Sequence, residues 1–258
     1  VSLPRALSKL GLCSRTQAFA CIESGRVAVN GRVSTDPSLR VSLENDRIFL
    51  DGRLATAERP PTVIALHKPP GYLTSRTDPQ GRKTVYDLLP ELDRFVFPVG
   101  RLDKETSGLL ILTDDHLLGE ALTNPENHVP KTYEVVTDAP PDRAAREGLR
   151  RGIDIGRGER TRPAVVEVGA GNSGVHRLRI TIHEGKNRQI RRMMAAVGLS
   201  VVSLMRTAIG GLQLGALPPG QHRLLSPAER VRLLGGRAGV HGRNRIQAGV
   251  LETRRFDR

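Results

Sequence analysis

Apolar positions in the first quarter of the chain change period twice. Leu3, Leu7 and Leu10 recur at helical spacing, with Pro4 in the first turn and Gly11 as a stop, which predicts a short helix. Ser14 and Gln17 have the spacing of a capping box and open a second helix through Ala18, Cys21 and Ile22 that ends at Gly25. Beyond it RVAVNGRVST and DRIFLDGR alternate apolar and polar residues around Asn30-Gly31 and Asp51-Gly52, dipeptides that favour tight hairpin turns. Two small helices leading into a small sheet are therefore expected over 1–58.

Periodicity is lost in ATAERPPT, where paired prolines predict a linker at 59–62. A second unit, 63–234, reads as strands near Val63–His67, Leu109–Thr113, Thr132–Asp138, Ala164–Val168 and Arg177–Ile182, with helices near Asp115–Asn124 and Asn187–Val197. The fold class is α+β, with a mixed, mainly antiparallel second domain. Residues 235–258 are rich in Gly and Arg with few apolar positions, so a flexible basic tail is expected there.

Composition then narrows the partners. The 258 residues include 38% hydrophobic side chains, enough for a real core, and carry a formal net charge of +13 spread along the chain. A polyanion, with nucleic acid first among them, is the implied partner. No stretch approaches the ~20 apolar residues of a membrane span, so no membrane attachment is expected. Cys13 and Cys21 lie in one segment with no signal peptide, which fits a reduced, cytoplasmic protein, and no metal-ligand spacing joins them to the seven His. No P-loop, HExxH pattern or deaminase-type His/Cys cluster occurs. Without an exposed apolar stripe a monomer is expected.

Arg5, Lys9, Arg15, Arg26 and Arg32 accompany the first two helices and the first hairpin. Any one reads as a solvated surface cation, but five on such short elements make a phosphate-binding surface. Phe19 is the exception to a near absence of stacking aromatics, which favours recognition of folded RNA by shape and backbone. In VGRLDKETSGLLILT, Asp103 sits between a polar turn and a continuous apolar run that predicts a buried strand. By itself it reads as a turn residue capping its own backbone. In EGKNRQIRRM, a helix from Asn187 puts Ile190, Met193, Met194 and Val197 on one face, Arg188 and Arg192 nearly opposite, and Arg191 at the border. From there Arg191 either covers the core with its stem or reaches inward to a carboxylate. Asp87, Asp114, Asp115 and Glu105 raise the rival of a metal-dependent RNA hydrolase, but Asp114-Asp115 opens a helix, where capping is the better reading.

LPRALSKLGLCSRTQAFACIESGRVAVNGRV resembles the small RNA-binding module first recognised in a ribosomal small-subunit protein. HKPPGYLTS, VGRLDKETSGLLILT, KTYEV and EGKNRQIRRM, in that order, resemble the bacterial ribosomal-RNA pseudouridine synthases of the RsuA-like type, over Leu3 to about Arg232. The resemblance implies isomerisation of uridine to pseudouridine in ribosomal RNA or a ribosomal assembly intermediate, without a cofactor. It implies that Asp103 is a buried catalytic anion paired with Arg191, that Tyr133 stacks on the flipped uracil, and that Arg101, Lys186, Arg188 and Arg192 meet RNA. An opposite charge within ~4–6 Å would keep such a carboxylate ionised. A non-catalytic ribosome-binding or assembly factor with a degenerate second domain is the alternative, which the completeness of the motifs disfavours.

Overall fold

The computed structural model describes residues 1–43, 45–55, 60–169 and 175–234. The expected tail and Arg59 of the expected linker lie outside them. Helices α1 (Leu3–Lys9) and α2 (Arg15–Glu23) come first, and the Ser14–Gln17 capping box closes as its sequence predicts. Strands β1 (Val27–Val29) and β2 (Arg32–Val33) form one hairpin, and β3 (Ile48–Leu50) and β4 (Arg53–Leu54) another. Both central residues of each turn, Asn30-Gly31 and Asp51-Gly52, have positive φ, the conformation of a primed hairpin turn. The resulting sheet, ordered β2-β1-β3-β4, shares with the two helices a core built from Leu3, Leu7, Ala18, Ile22, Val27 and Ile48.

The larger sheet begins with β5 (Val63–Lys68), β6 (Phe97–Pro98) and β7 (Ser107–Thr113). Helix α3 (His116–Thr123) leads to β8 (Lys131–Thr137), and α4 (Arg143–Arg151) to β9 (Val165–Val168) and β10 (His176–Ile182). Then follow α5 (Gln189–Ala196), β11 (Val201–Ile209), β12 (Leu212–Gln213), β13 (His222–Leu224) and α6 (Pro227–Leu233). Strand order is β13-β5-β7-β11-β8-β10-β9, with β6 added to β7 and β12 to β11. Every pairing is antiparallel except β7 with β11. The expected mixed, mainly antiparallel domain is present.

Both faces of this sheet are covered. Ile64, Leu66, Leu110 and Leu112 join Leu149 of α4 and Ile190, Met193 and Met194 of α5 on one side. Val63, Ala65, Leu109 and Ile111 join Leu118 and Leu122 of α3 and Leu233 of α6 on the other. A strand buried on both faces has no reason to alternate, which is why β5 and β7 read as continuous apolar runs. Gly108 makes the parallel pairing possible: a Cβ there would stand 2.2 Å from the Arg206 carbonyl oxygen of β11.

The structure shifts one expected boundary and adds elements to those expected, namely α4, α6, the short strands β6, β12 and β13, and the long strand β11. Helix α5 starts at Gln189, two residues later than expected, because Arg188 adopts a left-handed conformation (φ 47°) at its N-cap. Strand β11, at the centre of the sheet, was not anticipated, since Ser203, Arg206 and Thr207 interrupt its apolar pattern.

Candidate active site

The segment 99–106 crosses the mouth of a cavity of about 430 Å³, within the range of small-molecule pockets. The cavity is walled by the start of β8, the ends of β10 and β11, α3 and the loop that enters α5. Asp103, Tyr133, Arg101, Lys186 and Arg188 all line it.

The backbone of the Asp103 turn is held by HKPPGYLTS, a motif whose sequence gave no role to its lysine. The Lys68 ammonium, fully buried, donates to the carbonyls of Pro69, Asp103, Lys104 and Thr106 at 2.8–3.3 Å. Gly71 N–H donates to the Lys104 carbonyl, and the Thr74 hydroxyl donates to the Leu102 carbonyl at 2.8 Å. Burial pushes the Lys68 amine down to about 8, while the Asp103 and Glu105 charges favour its ammonium form. The only sequence signal for this cation was its position directly after the expected strand Val63–His67.

Asp103 differs from expectation in two respects. Its side chain keeps 27% of its accessible surface, so it stands at the cavity rim rather than in the core. The guanidinium beside it belongs to Arg188, 3.9 Å away, which also reaches Glu105 at 3.3 Å. Arg191 instead donates to the Glu105 carbonyl at 3.2 Å, and its Nε is buried without a partner. The reversal follows from the late helix start: Arg188 precedes the helix, so it is not carried to the solvent face that continuous helical geometry would give it.

The loop Glu184–Arg188 is fixed by Gln189, which accepts from Lys186 N–H and donates to Glu184, itself an acceptor from Arg162 N–H. Arg192, expected to meet RNA, is consumed by structure. It pairs with Glu159 and donates to the Ile155 and Gly156 carbonyls, tying the 155–159 loop to α5. Tyr133 is 9% exposed on β8, opposite Arg206 of β11 and Ile180 of β10.

Of the five cations singled out in the first unit, Arg5, Lys9 and Arg15 line a second cleft, together with Arg94. Val99, Gly100 and Thr123 border both this cleft and the Asp103 cavity, so the two are adjacent. Arg26 and Arg32 do not line it, and Arg26 is engaged by Asp51 at 2.6 Å. The unit is docked by His116, whose Nε2 meets the Ser8 carbonyl at 3.0 Å, and by Phe95 N–H donating to the Gly11 carbonyl.

The acids of the rival metal reading have other partners. Asp115 caps α3, Asp87 accepts from Thr84 N–H, and Asp114 accepts from Thr62 N–H and pairs with Arg94 at 2.6 Å. Among the described residues no helix is long and apolar enough to cross a membrane.

A basic two-part chain, with a small RNA-binding type of unit beside a sheet whose rim carboxylate is ringed by cations, has the architecture of an RNA-modifying protein. A family model described as RNA pseudouridylate synthase matches residues 62–196, and one described as the S4 domain matches 1–48. The chain is 35% identical over 94% of its length to ribosomal large subunit pseudouridine synthase B of Bacillus subtilis, covering 98% of that protein. It is also 35% identical to ribosomal small subunit pseudouridine synthase A of Escherichia coli, over 84% of this chain and 92% of that one. A crystal structure of a pseudouridylate synthase superposes with a TM-score of 0.65 at 31% identity, covering 90% of this chain and 99% of that chain. The chain belongs to the RNA pseudouridylate synthase family and carries an S4 domain. It is an isomerase of that class, and the binding-factor alternative gives way to the catalytic reading.

Proposed function

We propose that this protein converts a specific uridine of ribosomal RNA to pseudouridine, with Asp103 as the catalytic carboxylate and Tyr133 as the platform for the flipped base. The observation that carries the reading is the adjacency of two features. The cavity of Asp103 and Tyr133 abuts the basic cleft of Arg5, Lys9 and Arg15, so RNA gripped by the S4 domain would present a nucleotide to the carboxylate. Arg101, Lys186 and Arg188 at the rim would meet the phosphates flanking it. The ribosomal relatives support rRNA, or an assembly intermediate that contains it, as the substrate.

The reaction breaks the bond between N1 of uracil and C1′ of ribose, turns the base, and joins C5 to C1′. N1 gains a proton, C5 loses one, and no electrons are exchanged. Asp103 would either attack C1′ or remove the 2′ proton, and it needs its ionised form for both. Arg188 would stand beside the carboxylate, while Arg191 and Lys68 would hold the turn that presents it. A stacked Tyr133 offsets the stacking that the extruded uracil gives up. We assign 1–58 to RNA docking and 63–234 to catalysis, and infer a cytoplasmic monomer.

The test is pseudouridine mapping on rRNA from cells with and without the protein, repeated on purified rRNA or assembly intermediates with wild type and Asp103→Asn. One uridine converted by the wild type alone supports the reading. No converted uridine on any of these substrates refutes it.

A further inference from the structure

Among the described residues, three buried side-chain polar atoms have no hydrogen-bond partner: Thr106 Oγ1, Arg191 Nε and Arg206 Nη2. Folded proteins leave few such atoms unpaired, and each calls for a reason. Thr106 and Arg206 line the Asp103 cavity, and Arg191 lies on the helix whose first residues wall it. The cluster therefore marks the place where a polar ligand would complete the structure.

Arg206 is the extreme case. It is 3% exposed, its Nε donates to the Leu109 carbonyl at 2.8 Å, and no carboxylate among the described residues lies within ion-pair distance of it. On β11 it stands opposite Tyr133 of β8, so both side chains leave the same face of the sheet. Lys131, two residues before Tyr133 on β8, shares that face and lines the same cavity. Its Nζ donates to the Val129 carbonyl, and burial together with the Arg206 charge pushes its amine down to about 8. Two neighbouring cations thus face one cavity with no anion to balance them. The two acids that line the cavity are already engaged, Asp103 by Arg188 and Glu184 by Gln189 and Arg162 N–H.

The missing anion is not well matched by a phosphate. Phosphates remain at the surface of a bound RNA, where exposed Arg101 and Arg188 stand. A guanidinium nitrogen sealed from solvent needs a small planar group that enters fully, and the extruded base is such a group. Breaking N1–C1′ leaves the bonding electron pair on uracil, whose charge spreads over N1 and the two exocyclic oxygens.

We propose that Arg206, assisted by Lys131, is a catalytic residue that stabilises the anionic uracil released from ribose, until C5 bonds to C1′, after which C5 gives up its proton and N1 takes one. This rests on the pseudouridine synthase reading and adds a role that neither Asp103 nor Tyr133 fills. Preorganised donors aimed at a developing charge act most strongly in a water-poor site.

The experiment compares full-length wild type, Arg206→Met and Lys131→Met under single turnover, on a transcript carrying the converted uridine or 5-fluorouridine in its place. Fluorine withdraws electron density and stabilises the ring anion without help from the protein. The readout is loss of the starting nucleoside from nuclease digests, with RNA affinity measured in parallel. Arg206→Met is expected to lose about 10²- to 10³-fold in rate on uridine, to lose about tenfold less on 5-fluorouridine, and to keep its RNA affinity. Equal loss on both substrates, loss of affinity alone, or an unchanged rate overturns the proposal. Lys131→Met, at a partly exposed position, is read by the same pattern and decides the matter if Arg206→Met does not fold. A wild type that converts no uridine overturns the functional reading itself, whereas an active wild type beside unaffected variants overturns only this inference.

Discussion

The Lys68 ammonium donates to the backbone carbonyl of Asp103 across 3.1 Å, and it does so from the end of a strand with no exposed surface. One cation thereby fixes the turn that carries the proposed catalytic carboxylate, through main-chain atoms and not through the carboxylate itself. Replacing it by Met would leave several carbonyls without their donor, at about 1–3 kcal/mol for each one that stays buried. Lys68→Met is therefore expected to lose about 3 kcal/mol or more in urea unfolding and to lose activity even where it stays folded. A variant as stable as wild type would show that other donors hold the turn.

Asp103→Asn keeps the shape of the turn and removes the charge. Near-complete loss of pseudouridine is expected, with RNA affinity unchanged in a filter-binding titration. Because the side chain stands at the rim with only a 3.9 Å pair to Arg188, stability should move by no more than about 1 kcal/mol. Appreciable product from this variant would end the assignment.

The two arginines of EGKNRQIRRM should separate by their phenotypes. Arg188 makes exposed ion pairs to Asp103 and Glu105, so Arg188→Gln is expected to slow catalysis with little change in melting temperature. Arg191 places a buried Nε behind the turn and donates to the Glu105 carbonyl, so Arg191→Met is expected to cost about 1–3 kcal/mol of stability as well as rate. Thermal unfolding and single-turnover rates on the same preparations check both, and an Arg188→Gln more destabilised than Arg191→Met would contradict the observed geometry.

Local rules made much of this legible. Asn-Gly and Asp-Gly turns, the Ser14 capping box and the doubly buried runs of β5 and β7 each depend on residues close in sequence, and each appears where the pattern placed it. What escaped the sequence depends on long-range pairing. Strand β11 owes its place to β7 and β8, so Arg206 within it looked like an interruption rather than a buried cation. Lys68 falls just beyond the expected strand Val63–His67, and three of its four carbonyl partners lie 35, 36 and 38 residues away. The exchange of Arg188 for Arg191 beside Asp103 turned on one residue with positive φ, which periodicity cannot detect.

The S4 cleft makes a prediction that is independent of the chemistry. If Arg5, Lys9 and Arg15 neutralise phosphates, changing all three to Gln should weaken binding to any rRNA fragment and lower the slope of log affinity against log salt by about 2. Single-turnover rates at saturating RNA should survive. An unchanged slope would assign docking to the catalytic domain.

Lys131 gives the pH dependence a definite sign. In the unfolded chain its ammonium titrates near 10.5, whereas burial and the Arg206 charge hold it down to about 8 in the folded protein. Below about 8 both states carry the proton, and the cost of burying the cation is fully present. Between about 8 and 10.5 the unfolded chain binds more protons, so unfolding free energy rises with pH on account of this group. Measured in urea, wild type should gain on Lys131→Met as pH is raised from about 7.5 to about 9.5, because only the wild type sheds the penalty. Taking the difference cancels the groups common to both proteins. A difference that stays flat across that interval would mean that Lys131 titrates as it does in water, and that the cavity floor is not the cationic site its geometry describes.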